Sequence, residues 1–219
     1  MGLILNLPGE GERFKRFYGR NVEQMPLLMA EGRNPLSAAR LMQRRLETRN
    51  VSEEVGSSWT DYYFGTVDAI ALHPLGRVKI VLNSQILRKM PTENQRNGML
   101  ILEEDVYNAL EGQEFKQREL GKLESALSAS EVKSHPIWNV VAGDKSLLND
   151  YTDFVFAEAK KRFNRDLNMG IYLTILKESC EIWGWGIGGL ESGSNLCGMR
   201  DFYDSVGFQV GVASEAQNK

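Results

Sequence analysis

Cysteine and histidine are scarce in this chain of 219 residues, which holds two of each. Cys180 and Cys197 are too few for the disulfide framework of a small secreted domain, and they indicate free thiols in a reducing compartment. Neither cysteine belongs to a CxxC pair, and His73 and His135 do not form an HExxH motif. The sequence therefore predicts no metal site, and it carries no motif that calls for a cofactor.

Long hydrophobic runs are also missing, since no stretch approaches the roughly 18 apolar residues that a membrane span needs. The apolar residues 3–7 are too few for the core of a signal peptide, and no basic residue precedes them. Asn6 stands where a myristoylation signal requires Ser or Thr. We therefore expect a cytoplasmic protein that does not bind membranes.

The chain has no large excess of charge, because its net charge is -3 and its pI is about 5.6. Such a chain is not a general polyanion binder. Its hydrophobic fraction of 42% and charged fraction of 25% are typical of a globular protein. Residues 1–50 are nevertheless basic, which we interpret as compensation by acidic residues elsewhere in the chain; a polyanionic partner is the alternative.

Hydrophobic periodicity predicts helices over residues 34–49, capped by Asn34, and over residues 146–163, capped by Asp144. A further helix is predicted from Glu103 to about Gly112 and another across 115–127, with one helical turn in 13–18. Runs rich in β-branched and aromatic residues predict strands over 62–72, 77–82, 99–102, 171–176, 181–187 and 204–212.

Adjacent strands joined by short loops favour antiparallel pairing. We therefore predict an α+β protein with a mostly antiparallel sheet of about six strands and four to five helices to one side. Residues 1–219 are predicted to form a single domain. The polar segment 128–136, which ends in Pro136, is a candidate boundary between subdomains.

The most unusual segment is 183–189, in which glycines alternate with Trp183 and Trp185. On a strand the two tryptophans share a face, where they could stack on a base or a sugar or pack in the core. A phosphate-binding loop would need a helix directly after the glycines, and the residues after Gly189 have the composition of a loop. Close packing of backbone is the simpler reason for the glycines.

The segment 13–49 mixes basic and aromatic residues, as a surface for single-stranded nucleic acid would. Arg40 and Arg44 lie four residues apart on the predicted helix and point away from its apolar stripe. The alternative is a solvated helix face whose arginines pair with glutamates. No known nucleic-acid motif accompanies these residues.

No motif assigns the chain to a family or identifies a catalytic group, and whether it is an enzyme stays open. Asp68, in an otherwise apolar strand, is either exposed or buried with a raised pKa. The leading hypothesis is a binding or assembly protein without catalytic activity, which requires an exposed apolar patch and a protein partner or homo-oligomer. The alternatives are a nucleic-acid-associated protein using 13–49 and a small-molecule enzyme with a site near 183–189. The candidate binding residues are Arg40, Arg44, Trp183 and Trp185.

Overall fold

The fold is described by a computed structural model, which covers residues 3–166, 168–173, 178–203 and 208–212. Its strands are β1 (Leu3–Asn6), β2 (Phe14–Tyr18), β3 (Asn34–Pro35), β4 (Phe64–Leu72), β5 (Arg77–Val81), β6 (Gln95–Arg96), β7 (Met99–Ile101), β8 (Gln113–Lys116), β9 (Ser125–Leu127), β10 (Asn168–Tyr172), β11 (Glu181–Ile187), β12 (Leu196–Met199) and β13 (Phe208–Val212). Its α-helices are α1 (Asn21–Ala30), α2 (Ala38–Thr48), α3 (Glu53–Thr60), α4 (Gln85–Lys89), α5 (Glu104–Ala109), α6 (Ala129–Ser134), α7 (Pro136–Ala142) and α8 (Lys145–Phe163).

Strands β4 and β11 form the centre of the sheet, and every residue in both strands is buried. They pair antiparallel, with Glu181 opposite Leu72 and Trp183 opposite Ile70. A strand that is buried on both faces carries apolar residues without a regular polar alternation, as β4 does. Helices must therefore cover both faces of this sheet.

The two faces of β4 contribute to two separate cores. Ile70 and Leu72 belong to the larger core, which includes residues of α2, α3, α7 and α8. Ala69 and Ala71 point the other way into a smaller core with residues of α1, α4 and α5. The small side chains on this second face let those helices lie close to the sheet.

The main strand order is β1-β2-β13-β4-β11-β12-β10-β9. Most neighbours are antiparallel, but β13 runs parallel to β4 and β10 runs parallel to β12. Strand β13 comes near the end of the chain and lies between β2 and β4. This long-range pairing joins the basic N-terminal segment to the centre of the sheet.

The two strongest sequence patterns became helices at nearly the predicted positions. Helix α8 begins after Asp144, whose carboxylate accepts a hydrogen bond from the backbone N–H of Leu147 at 2.7 Å. Helix α2 begins later than predicted, because Ser37 and not Asn34 caps it. Asn34 and Pro35 instead pair with β13 as β3.

The predicted architecture is wrong in its sheet and in its helices. The described residues form thirteen strands in a mixed sheet and eight α-helices on both faces, where about six mostly antiparallel strands and four to five helices on one side were expected. The sequence pattern did not predict that helices cover the second face of the sheet, because alanine and glycine carry little hydrophobic signal. The presence of both helices and strands agrees with the prediction.

Particular segments also differ from their predictions. Residues 14–18 form strand β2, where a helical turn was predicted over 13–18. Residues 115–127 contain parts of two strands around a short 3-10 helix, with Gly121 and Glu124 at positive φ, which interrupts any helix. The candidate boundary 128–136 forms α6 and the start of α7, while the division into domains stays a prediction. Residues 174–176 of the strand predicted over 171–176, and residues 204–207 of the last predicted strand, lie outside the described residues.

Candidate functional site

A group of exposed apolar and aromatic side chains lies at one edge of the sheet. Strand β1 is the edge strand and pairs only with β2 among the described residues. The exposed fractions are 53% for Leu3, 40% for Leu5, 43% for Tyr18 and 41% for Tyr62. We call Leu3, Leu5, Arg16, Tyr18 and Tyr62 the edge patch.

The strand register makes the edge patch continuous. Leu3 lies opposite Tyr18, and Leu5 lies opposite Arg16. Side chains directly opposite one another in an antiparallel pair share a face and lie in contact range. The guanidinium carbon of Arg16 lies 5.7 Å from the ring centroid of Tyr62, which extends the patch beyond the strands.

The inner end of the same sheet face is anchored in the core. Phe14 shares the face with Arg16 and Tyr18, because strand side chains alternate. Its ring contacts that of Trp59 edge-on, with centroids 5.1 Å apart, and both side chains are buried. The patch is therefore the outward continuation of a packed face, and its position is fixed by the core beneath α2 and α3.

Arg44 is engaged in an ion-pair network and does not point freely into solvent. Its guanidinium donates to both carboxylate oxygens of Glu10, at 2.6 and 2.7 Å, and to Glu47 at 3.0 Å. Trp59 donates its indole N–H to Glu10 at 2.8 Å. Burial lowers the pKa of Arg44, but these two carboxylates outweigh it and raise the pKa above its ordinary value. Arg40 is exposed and donates to Gln43.

The acidic residues of the basic segment form ion pairs within that segment. Each of its five acidic residues pairs with a basic residue of residues 1–50. The ion pairs are Lys15 with Glu12 and Glu31, Arg20 with Glu23, Arg33 with Glu12 and Glu31, and Arg44 with Glu10 and Glu47. These five acidic residues cannot neutralise all nine basic residues of the segment, so compensation of the remaining positive charge by acidic residues elsewhere in the chain stays a prediction.

Trp183 and Trp185 lie in the larger core, beneath the helices. Their side chains are almost completely buried, and the two share a face of β11 as predicted. The indole N–H of Trp183 donates to Glu181 at 2.8 Å, and Arg200 binds both oxygens of that carboxylate. Burial raises the pKa of Glu181, but the bonds from Arg200 and Trp183 outweigh it and lower the pKa. A binding role for the two tryptophans stays a prediction.

The glycines of β11 make room for side chains on its opposite face. A Cβ atom at Gly186 would overlap the hydroxyl oxygen of Tyr63. A Cβ atom at Gly184 would lie within 3.3 Å of both Met199 and Phe202. The alternation of tryptophan and glycine therefore serves packing. The two tryptophan side chains fill the larger core, and the two glycines leave space on the opposite face of β11.

Arg45 is the polar residue whose importance the sequence did not reveal. It is fully buried, and its guanidinium donates to the carbonyl oxygens of Trp59, Gly188 and Tyr62 at 2.8, 3.0 and 3.1 Å. It also donates to the hydroxyl of Tyr151 at 2.7 Å. Arg45 thereby ties α2, α8 and the loop after β11 together. Its position on the buried side of an arginine-rich helix was the available signal.

A groove of about 1080 Å³ lies between the C-terminal end of α2, α3 and α8. Its floor includes Phe154 and Leu190, and Leu190 follows the 183–189 segment closely. Its walls carry charges of both signs, among them Arg49, Asp150 and Asp153. The groove is wide enough for a small molecule, but its mixed charge favours no particular ligand.

Asp68 is buried, as one of its two predicted environments required. Its carboxylate accepts hydrogen bonds from the backbone N–H of Ala38 at 2.7 Å and of Asn83 at 2.8 Å. Burial raises the pKa of Asp68, and these two hydrogen bonds only partly oppose that effect. Since both bonds go to backbone, Asp68 fastens α2 and the turn after β5 to β4.

Within the described ranges, no group of three or more His, Cys, Asp or Glu side chains is placed to hold a metal ion. Burial raises the pKa of both thiols, Cys180 and Cys197. None of the described helices is both long enough and apolar enough to cross a membrane.

Comparison with known proteins adds the name of the fold. No family model matches the chain, and no curated protein is similar to it. A solved structure described as "Accommodation of massive sequence variation in Nanoarchaeota by the C-type lectin fold" is similar to it, with a TM-score of 0.66 and 15% sequence identity. The similarity covers 93% of this chain and 99% of that one. At this identity the likeness shows the fold alone: the chain has a C-type lectin fold.

Proposed function

We propose that this chain is a binding protein without catalytic activity, and that its partner covers the edge patch. The observation that carries the proposal is the set of four large side chains, each at least 40% exposed, on one face of β1 and β2 and the adjoining Tyr62. Single exposed apolar residues are normal on a monomer, whereas contiguous ones mark interaction sites.

The composition of the edge patch supports a protein partner. Tyrosine and arginine are enriched in protein interfaces, because a tyrosine buries a large area and still offers a hydroxyl. In the patch, Tyr18 and Tyr62 flank Arg16, and two leucines adjoin them. Strand β2 holds this arrangement in place through pairing with both β1 and β13. A prearranged surface loses little entropy when a partner binds.

The fold supports the proposal in general terms. The similar solved structure is described as accommodating massive sequence variation on the C-type lectin fold. A scaffold that tolerates many surfaces is suited to binding, since function resides in the site and not in the fold. The proposal for this chain rests on its own edge patch and not on a ligand of that protein.

The two alternatives have less support. For nucleic acid, Arg44 is held by two carboxylates, so Arg40 and Arg49 carry most of the free charge on α2 and its end. For an enzyme near 183–189, the adjoining groove offers space, but both tryptophans lie beneath the helices and do not line it. Salt-dependent binding lost in Arg40→Ala would revive the first alternative.

Hydroxyl-radical footprinting tests the proposal. The assembly is purified gently from the source cells and labelled beside the isolated, dilute chain. Tyr18 and Tyr62 are compared with Tyr172 and Tyr203, which are matched controls because they are 40% and 42% exposed and lie outside the patch. We expect lower labelling of Tyr18 and Tyr62 in the assembly and unchanged labelling of the controls. Equal labelling of Tyr18 and Tyr62 in both samples would overturn the proposal.

A further inference from the structure

We infer that the partner at the edge patch is a second copy of this chain, joined by antiparallel pairing of the two β1 strands. This inference rests on the proposed function and names its partner. It would join the two sheets into one continuous sheet, with the two copies related by a two-fold axis as in other isologous dimers.

The backbone of β1 determines what kind of partner fits. In an antiparallel pair, alternate residues direct their N–H and C=O groups to the neighbouring strand and the others direct them away. The outward-directed groups of Leu3–Asn6 have no strand beside them among the described residues. They form a template for another extended strand.

Apart from its shortness, at four residues, no sequence feature of β1 guards this edge. Natural edge strands are commonly protected by lysine, proline, a bulge or an inward-pointing charge. Leu3-Ile4-Leu5-Asn6 contains none of these residues, and its pairing with β2 runs without a register shift. An unguarded and apolar edge is the expected sequence feature of a strand that has a partner.

The side-chain pattern favours a second copy over an unrelated strand. If Ile4 lies opposite Ile4 of the second copy, then Leu3 of each copy lies opposite Leu5 of the other. Directly opposed residues share a face, so the two edge patches meet on the same side of the combined sheet. Ile4, which is 36% exposed, meets its own counterpart on the other side. One register therefore covers the apolar residues of both faces.

Charges do not oppose this arrangement. The strand itself is uncharged, and the nearest cations are Lys15 and Arg16 on β2. Lys15 is neutralised by Glu12 and Glu31, at 3.3 and 3.5 Å. The two Arg16 residues would lie three strand spacings apart, roughly 14 Å. This exceeds the Debye length of about 8 Å at physiological salt, so their repulsion is screened.

Sedimentation equilibrium over a range of concentrations tests the inference on the full chain. We expect the wild type to form a reversible dimer. Leu5→Lys should weaken the dimer about tenfold or more, because it places a charge opposite Leu3 in each half of the pair. Leu75→Lys is the matched control, since Leu75 is 81% exposed on the turn between β4 and β5, and its dimer should equal that of the wild type.

Deuterium exchange adds a readout at the strand itself. The amides of residues 3–6 should exchange more slowly in the concentrated dimer than in the dilute monomer. A wild type that stays monomeric at its highest soluble concentration would overturn the inference. A dimer that Leu5→Lys leaves intact, with unchanged exchange in β1, would overturn it equally.

The inference and the proposed function fail in distinguishable ways. A monomeric wild type whose Tyr18 and Tyr62 are protected in the native assembly removes the second copy as partner but keeps the edge patch as a binding surface. Tyrosines that are not protected in the native assembly remove the proposed function itself.

Discussion

Strands β11 and β1 are both rich in large apolar residues, yet one lies at the centre of the sheet and the other at its edge. In β11, Trp185 is completely buried beneath the helices, and each of its neighbours in the strand is buried too. In β1, all four residues are exposed. The composition of a strand thus does not reveal its position, which is determined by what pairs and packs with it.

The largest expected effect is at the centre of the sheet. Trp185→Ala removes a fully buried side chain and leaves a cavity in the larger core, so we expect a loss of about 3–5 kcal/mol in the free energy of unfolding. Urea denaturation of wild type and variant measures it. Tyr172→Ala is the exposed aromatic control in the neighbouring part of the sheet and should cost much less. A loss below about 1 kcal/mol for Trp185→Ala would contradict the central position.

Asp68 is a buried polar residue in the same central part of the sheet. Asp68→Ala leaves the buried N–H group of Ala38 without its acceptor, at a cost of about 1–3 kcal/mol, and it also removes the acceptor of the more exposed N–H group of Asn83. Asp68→Asn keeps one acceptor oxygen and should lose less. The free energies of unfolding of the three proteins should therefore fall in the order wild type, Asn, Ala. An alanine variant as stable as the wild type would refute the anchoring role.

His135 provides a smaller effect that depends on pH. It is buried before α7, where its ring accepts from the N–H of Ile137 at 3.3 Å and contacts the carbonyl oxygen of Lys122 at 3.0 Å. Burial lowers the pKa of His135 below its ordinary value of 6.5. The unfolded chain therefore takes up a proton more readily, so the stability from His135 is present above about pH 6.5 and is lost as pH falls toward the lowered pKa.

Denaturation between about pH 7 and pH 5 measures this effect against His135→Gln, which does not titrate. The wild type should lose more stability than the variant over that interval. Parallel losses in the two proteins would show that His135 does not contribute to the pH dependence.

The smallest expected effect is at the edge. Leu5→Lys should lower the free energy of unfolding of the dilute monomer by no more than about 1 kcal/mol, because Leu5 is already 40% exposed and the new charge lies opposite Arg16 on β2. The same substitution is expected to weaken the dimer strongly. One variant therefore distinguishes an effect on association from an effect on folding. A large loss of monomer stability would mean that Leu5 packs within its own chain and would remove the contrast between edge and centre.

Local patterns predicted the two helices with the clearest apolar stripes, α2 and α8. The cap at Asp144 was predicted too, because it depends on residues three apart in sequence. The strands predicted over 62–72 and 77–82 are observed as β4 and β5, and they pair antiparallel as adjacent strands were expected to do. The candidate site was not predicted in this way. Nothing in residues 3–18 indicates that β1 is an edge strand, since this depends on β13 pairing with the other side of β2.

The sequence by itself determined that this protein mixes helices and strands and where its most regular elements begin. These properties follow from periodicity, capping residues and turn residues, which act over a few positions. Only the tertiary structure decided that Trp183 and Trp185 are buried, that Arg44 is paired and that Leu3 and Leu5 are exposed. Exposure is a property of long-range contacts, and in this chain the parallel pairing of β13 with β4 fixes which strand is left at the edge.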